Sequence, residues 1–341
     1  MSRPSSVGRP AIGVVGVGHL GAHHARILHE SAGWRLAGVY DIDSNRSLDV
    51  ATRYGLPVCR DMEELLGRVD AVSVCTPTES HFPIARRAIE LGRHVFVEKP
   101  VCASNAEAES LADMAGRAGV LGAVGQIERF NPAISAVRDR IGSPRFIEAH
   151  RLNQFSLRGL ATDVVLELMI HDIDLARWLV GEEPVEIRAS GVAVLAETDD
   201  IANCRLQFPG GCVANLTASR ISTNPMRKIR VFSHDHYTSV DLSQKSADSY
   251  RLFRTGEDLP AKEYMTLAEG QGKRVARWTT PVTMFDALEA ELTDFHEAVA
   301  TGRSPRVNLA EGAKSLRVAL DVVRACREAR SDVIETRITT R

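Results

Sequence analysis

The stretch VVLELMIHDIDLARWL, residues 164–179, places an acid, an imidazole and a second acid at helical spacing. At 3.6 residues per turn Glu167, His171 and Asp174 fall on one line, spaced i, i+4 and i+7, with Trp178 continuing it. A carboxylate one turn before a histidine can orient the ring and stabilise its charged form, which leaves His171 as a proton acceptor. Asp174 is then a further partner or a ligand for a hydroxyl. Far upstream, EKP (98–100) sets Lys99 after an apolar run and against Pro100. Oxidising an alcohol takes a hydride from carbon and a proton from oxygen, so something must steady the developing alkoxide and something must accept the proton. Zinc often does the first, but no ligand set with suitable spacing is present, so the metal expectation is none. An ammonium can do the same, and Lys99 is the candidate. The expected catalytic set is Lys99, His171 and Glu167. The competing reading makes the stripe a buried structural network and Lys99 a surface partner of Glu98.

A hydride needs an acceptor, and GVGHLG supplies one candidate site. Gly16, Gly18 and Gly21 form GxGxxG, with His19 and Leu20 between the last two glycines. The motif follows a predicted strand and opens a predicted helix, and Asp41 ends the next strand 20 residues after Gly21. These are the contexts that a dinucleotide fingerprint requires. Glycines let backbone amides approach a pyrophosphate at the helix N-terminus, while Asp41 accepts bonds from the adenosine ribose. A carboxylate repels a 2′-phosphate and Ile42 follows it, so NAD is favoured over NADP, with Arg46 the one opposing feature. Ligands of open α/β sheets sit beyond the carboxyl ends of the strands. Thr76, Pro77, Thr78 and His81 of CTPTESH, then Glu98 and Lys99, and Gln126 after a later strand complete the expected cofactor contacts. His23, inside the first helix, reads as structural.

The elements that must hold these groups change character along the chain. Up to residue 125, continuous apolar runs at 11–16, 35–41, 70–76, 94–100 and 120–125 alternate with helical patterns near 20–30, 61–67, 79–91 and 104–118. Unbroken apolar strands suit a parallel sheet covered on both faces, so residues 11–125 are expected to form an α/β, doubly wound Rossmann domain. Residues 126–335 should form a second α/β domain for substrate and oligomerisation. Strand runs at 186–196, 202–208, 212–220 and 228–233, separated by turn signals, suggest an open, mostly antiparallel sheet there. Residues 256–282 lack periodicity and read as loop, and helices over 284–301 and 309–329 should pack between or beside the domains. The 341 residues are 44% hydrophobic and 25% charged with a net charge of -2, which gives no reason to expect nucleic acid or a membrane as partner. No apolar run reaches spanning length. Residues 1–10 lack an apolar core and read as a disordered tail. Six scattered cysteines suggest reduced thiols and a cytoplasmic location, with a single disulfide left open.

Taken in order, the glycine fingerprint with His24 shortly after, CTPTESH, EKP, and an acid four residues before a histidine with another three after it resemble the Gfo/Idh/MocA oxidoreductases. The resemblance covers essentially the whole chain. It implies a Rossmann domain, a C-terminal α/β domain with an open sheet, a nicotinamide cofactor, and a sugar or cyclitol substrate. It also implies catalytic roles for Lys99 and His171. The family's usual aspartate is here Glu167, and its usual glycine two before the histidine is Met169. GQIERFNPA (125–133), RLNQFSLRG (151–159) and TDVVLELMIHDIDL (162–175) are similar to a bacterial branch that oxidises the 3-hydroxyl of UDP-N-acetylglucosamine. In that branch a partner aminotransferase converts the ketone to a 3-amino sugar for lipid A. On that reading Arg151 and Arg158 meet a diphosphate, Asn153 or Gln154 bonds a uracil or acetamido group, and Lys99, His171 and Asp174 line the sugar. Alternatives are a dehydrogenase of a free cyclitol or aldose, and a non-catalytic NAD-binding sensor or scaffold. A homodimer or homotetramer is implied by the open sheet face.

Overall fold

The computed structural model describes residues 8–155, 162–259 and 264–339. The first seven residues of the expected tail, and Arg158, lie outside the described residues. In chain order the elements begin with β1 (Ala11–Val15), α1 (His19–Glu30), β2 (Arg35–Tyr40), α2 (Ser44–Tyr54), α3 (Met62–Arg68) and β3 (Ala71–Val74). They continue with α4 (His81–Glu90), β4 (His94–Glu98), α5 (Asn105–Ala118), β5 (Gly122–Gly125), α6 (Pro132–Val137), β6 (Phe146–Gln154) and α7 (Ile170–Val180). Then come β7 (Glu186–Val192), β8 (Ile201–Gln207), β9 (Val213–Ser222), β10 (Met226–Phe232), β11 (His236–Asp241) and β12 (Ser246–Arg254). The last are β13 (Met265–Gly270), β14 (Lys273–Thr280), α8 (Ala287–Thr301) and α9 (Leu309–Thr339). The chain divides into two compact units, Met1–Gln126 with Asp286–Leu316, and Ile127–Phe285 with Arg317–Arg341.

The first unit is a parallel sheet in the order β2-β1-β3-β4-β5. Every residue of β1, β3 and β5 is buried, as strands covered on both faces must be. A single parallel bridge from Val39 to Val58 extends the sheet beyond β2. Because β1 lies between β2 and β3, the strand order reverses there and the loops after β1 and β3 diverge into a crevice. The ends of α5 are fixed locally: Ser104 and Glu107 form a reciprocal capping box, and Gly119 at φ 66° closes it. Helix α2 was not anticipated, since only Ser47, Val50 and Ala51 of it are buried. Asp43 caps its start and Gly55 its end. Within the same unit α8 packs Phe295 against Trp34 and Phe96, and Trp34 Nε1 donates to the Leu292 carbonyl.

The second unit is a nine-stranded sheet in the order β13-β14-β12-β11-β10-β6-β9-β8-β7, antiparallel except for the β6–β9 pair. One face is a core of Ile147, Ala149, Leu216, Ala218, Ile229 and Val231 against Ile170, Ile173, Val318 and Val322 from the helices. The other face carries a ladder of aromatics in register across β6, β10, β11 and β12, namely Phe146, Phe232, Tyr237 and Tyr250, with successive ring centroids 4.5–5.9 Å apart. Two expectations fail here. Residues 256–282 contain the β13–β14 hairpin rather than only loop, invisible in the pattern because every residue of β13 is exposed. Strand β6, central to the sheet, was not anticipated, because a charged residue, Arg151, occupies one of its inward positions. All six cysteines are free thiols.

Candidate active site

The glycine loop shows why each glycine is needed. Gly16 ends β1 at φ 83°, and a Cβ there would lie 2.8 Å from the Cys75 carbonyl oxygen. A Cβ on Gly21 would sit 1.8 Å from the Gly16 oxygen, so only glycine lets α1 start this close to the strand. Gly18 has nothing within 4 Å of its Cβ position and leaves an open approach to the helix N-terminus. Asp41 is held from both sides: Val17 N–H donates to one carboxylate oxygen at 2.7 Å and Asp43 N–H to the other at 2.9 Å. Around these groups lies a cavity of about 680 Å³, whose lining also includes Leu20, Arg46, Thr76 and Pro77. Arg46 is turned to Asp43, 3.2 Å away. The buried Thr76 hydroxyl at the cavity wall and the buried Gln126 side-chain oxygen have no partner among the described residues. An open phosphate approach, a fixed carboxylate just after β2 and unmet polar atoms at the strand ends suit a dinucleotide carrying free ribose hydroxyls.

Other expected contacts have a different place. His19 is exposed on the first turn of α1, its ring against His23, and Thr78 opens the short turn before α4. His81 is buried with its two ring nitrogens 2.8 Å from the carbonyl oxygens of Thr76 and Pro100, so it ties the loop after β3 to the loop after β4. Glu98 is also buried. One of its oxygens lies 3.0 Å from His24 Nε2 and the other accepts the Lys99 backbone N–H at 3.2 Å. Lys99 is half-buried at the end of β4.

In the second unit the stripe on 164–179 is not a uniform helix. Val165–Met169 winds as a wider π-turn, with Ile170 N–H bonded back to the Val165 carbonyl, before α7 begins. Glu167 and His171 are half-buried on the two sides of that junction. Glu167 meets Arg220 of β9 at 3.3 Å, and Arg220 also binds Asp200 at 2.8 Å and Thr198 at 3.0 Å. No motif singled out Arg220. Two expected substrate ligands are corrected. Asp174, 1% exposed, takes both its oxygens to the Arg129 guanidinium at 2.6 and 2.7 Å, and Arg129 lies over Trp178. Arg151, 2% exposed, is spent on Asp172 and Glu128, with contacts of 2.8–3.0 Å. A diphosphate cannot reach Arg151, nor a sugar hydroxyl Asp174, without breaking a buried ion pair. The exposed cation beside Asn153 is instead Arg227 of β10, the register partner of Arg151, 3.4 Å from the Asn153 side-chain oxygen.

Residues 11–126 match the family described as "Oxidoreductase family, NAD-binding Rossmann fold", and residues 133–235 match the "GFO/IDH/MocA C-terminal domain". The chain is 39% identical over 314 residues to UDP-N-acetylglucosamine 3-dehydrogenase of Acidithiobacillus ferrooxidans, covering 91% of this chain and 95% of that protein. A solved structure of that enzyme superposes with a TM-score of 0.85 at 37% identity, covering 93% of this chain and 97% of the other. Inositol 2-dehydrogenase of Rubrobacter xylanophilus is 34% identical over 54% of this chain and 56% of its own. The tight glycine loop and the doubly held Asp41 accord with these likenesses, which across both units place the chain in the Gfo/Idh/MocA family as an NAD-binding dehydrogenase.

Proposed function

We propose that the chain oxidises the 3-hydroxyl of UDP-N-acetylglucosamine to a ketone. The observation that carries this reading is a likeness to the enzyme of that name extending over nine-tenths of both sequences, through both units. Bound NAD supplies the hydride acceptor. His171 takes the hydroxyl proton, and Lys99 steadies the oxygen as charge develops on it. Glu167, held by Arg220, stands four residues before His171, where its carboxylate orients the ring. Arg227 and Asn153 meet the nucleotide end, with Arg227 suited to a diphosphate. The product suits an aminotransferase that makes a 3-amino sugar for lipid A, in the cytoplasm. The aromatic ladder on the outer sheet face is the surface for a homodimer or homotetramer.

The test follows NADH absorbance with UDP-N-acetylglucosamine, adding a transaminase and amine donor to draw off the ketone. Lys99→Ala and His171→Ala should each lower kcat by about 10²–10⁴-fold with NAD affinity unchanged. Turnover of inositol or glucose without turnover of the nucleotide sugar would select the second reading, a free cyclitol or aldose dehydrogenase, which the inositol dehydrogenase relative favours. Retained activity in both variants would remove the site assignment.

A further inference from the structure

Within the second unit a buried cation joins the loop between β7 and β8 to the wide turn that carries Glu167. Arg220 of β9 is 3% exposed. Its Nε donates to Asp200 at 2.8 Å and its Nη2 to the Thr198 hydroxyl at 3.0 Å, both in that loop. Its Nη1 donates to the Thr162 carbonyl and to the Glu167 carboxylate, the latter at 3.3 Å. We propose that Arg220 is a positioning residue for Glu167, and that the β7–β8 loop aims it through Asp200 and Thr198. This rests on Glu167 serving the reaction as proposed above.

A guanidinium presents its donors in one rigid plane, so bonds along one edge dictate where the other edge lies. Asp200 is itself fixed, since its second oxygen accepts the backbone N–H groups of Val194, Leu195 and Ala196 at 2.6–3.3 Å. The backbone ties both partners to the same pair of residues. The Asp200 carbonyl accepts the Arg220 N–H at 3.0 Å, and the Asp199 carbonyl accepts the N–H of Val164, at the entry to the π-turn, at 3.2 Å. Asp199 is buried in turn and paired with Arg330 of α9. Strand and turn are thus held at a set separation, and the guanidinium spans it. The Glu167 side chain is 33% exposed, against 4% for Arg220 and 0% for Asp200. A buried cation already matched by a buried carboxylate needs no second acid for its own charge. A half-exposed glutamate, by contrast, keeps its rotamer freedom until a partner removes it. The contact therefore serves the acid.

The test is a double-mutant cycle on kcat in the full-length protein, with melting curves and NAD affinity by calorimetry alongside. It is run with whichever of UDP-N-acetylglucosamine, inositol or glucose the wild type oxidises. Arg220→Lys leaves a charge for Asp200 but no fork to span both carboxylates. Its kcat should fall about tenfold, with KM for the substrate and NAD affinity within about threefold of wild type. In a Glu167→Ala background the same substitution should lower kcat by less than about twofold, because Arg220 then has nothing to aim. Losses of about tenfold in both backgrounds overturn the proposal, as does an unchanged kcat in folded Arg220→Lys. Should Arg220→Lys not fold, Thr198→Val replaces it, since removing one hydroxyl strands no charge. Its kcat should fall about threefold with Glu167 present and hold steady without it; an equal loss in both backgrounds, or none in either, overturns the idea. Failure of the underlying reading looks different. A wild type that turns over only inositol or glucose corrects the substrate and leaves the cycle readable. Wild-type kcat in Glu167→Ala, or a wild type that oxidises none of the three, removes the acid from the reaction and the positioning role with it.

Discussion

Asp174 separates two accounts of the helical stripe, because a substrate ligand and a buried ion-pair partner fail differently when removed. In the structure Asp174 is 1% exposed and both of its oxygens are bonded to Arg129, whose side chain is 2% exposed. Asp174→Ala leaves a guanidinium buried without this carboxylate, and breaking such a pair costs about 3–5 kcal/mol. For a folding unit of this size each kcal/mol moves Tm by roughly 2–4 °C, so the melting temperature should fall by roughly 6–20 °C. The assay is calorimetric unfolding paired with steady-state kinetics measured well below the melting point, where KM for the sugar should stay within about threefold of wild type. Replacing both partners by leucine should recover most of the loss, since an apolar pair of similar volume avoids the stranded charge. A Tm within about 2 °C of wild type together with a tenfold rise in KM would refute the structural role and return Asp174 to the substrate.

Asp41→Ala removes the acceptor for the ribose hydroxyls, and at about 1.5–3 kcal/mol for bonds to a charged group NAD should bind roughly 10- to 150-fold more weakly, with the preference over NADP reduced, both read by calorimetry. Arg227→Ala should raise KM for UDP-N-acetylglucosamine by about tenfold or more while leaving NAD affinity alone; an unchanged KM would place the diphosphate elsewhere. Because the folded protein holds the His24 pKa above its ordinary 6.5, the stabilisation from its charge is complete below that value and lost as pH rises through the folded value. Thermal stability should therefore decline on the alkaline side in wild type and decline less in His24→Gln, by melting curves recorded across pH.

The Rossmann half was legible because its strands are unbroken apolar runs and its glycines sit where a turn demands them, as Gly16 and Gly21 do. Helix α2 escaped notice because it needs to bury only a short patch, and its caps, Asp43 and Gly55, carry no apolar signal. In the second unit, β6 does alternate, but Arg151 stands at an inward position. The two carboxylates that make this tolerable, Glu128 and Asp172, come from segments that no local pattern connects to it. The same blindness turned Arg151 and Asp174 into expected ligands. Residue type and spacing show which groups could do chemistry, while burial and remote partners decide which are already committed. Glu98, His81 and His24 show the converse: the first two were expected at the cofactor, and together with His24 they hold the loops and strand end that border it.

The wide turn at Val165–Met169 has a bearing on how this segment can vary. A turn that holds one residue more than an α-helix needs can relax into one by losing that residue, with little cost to the backbone. Yet the residue lost would come from the turn that carries Glu167, so the contact with Arg220 is what such a change displaces. The number of residues between Asp163 and His171 is thus as much a part of the chemistry as their identity, and changes in length belong elsewhere in the chain.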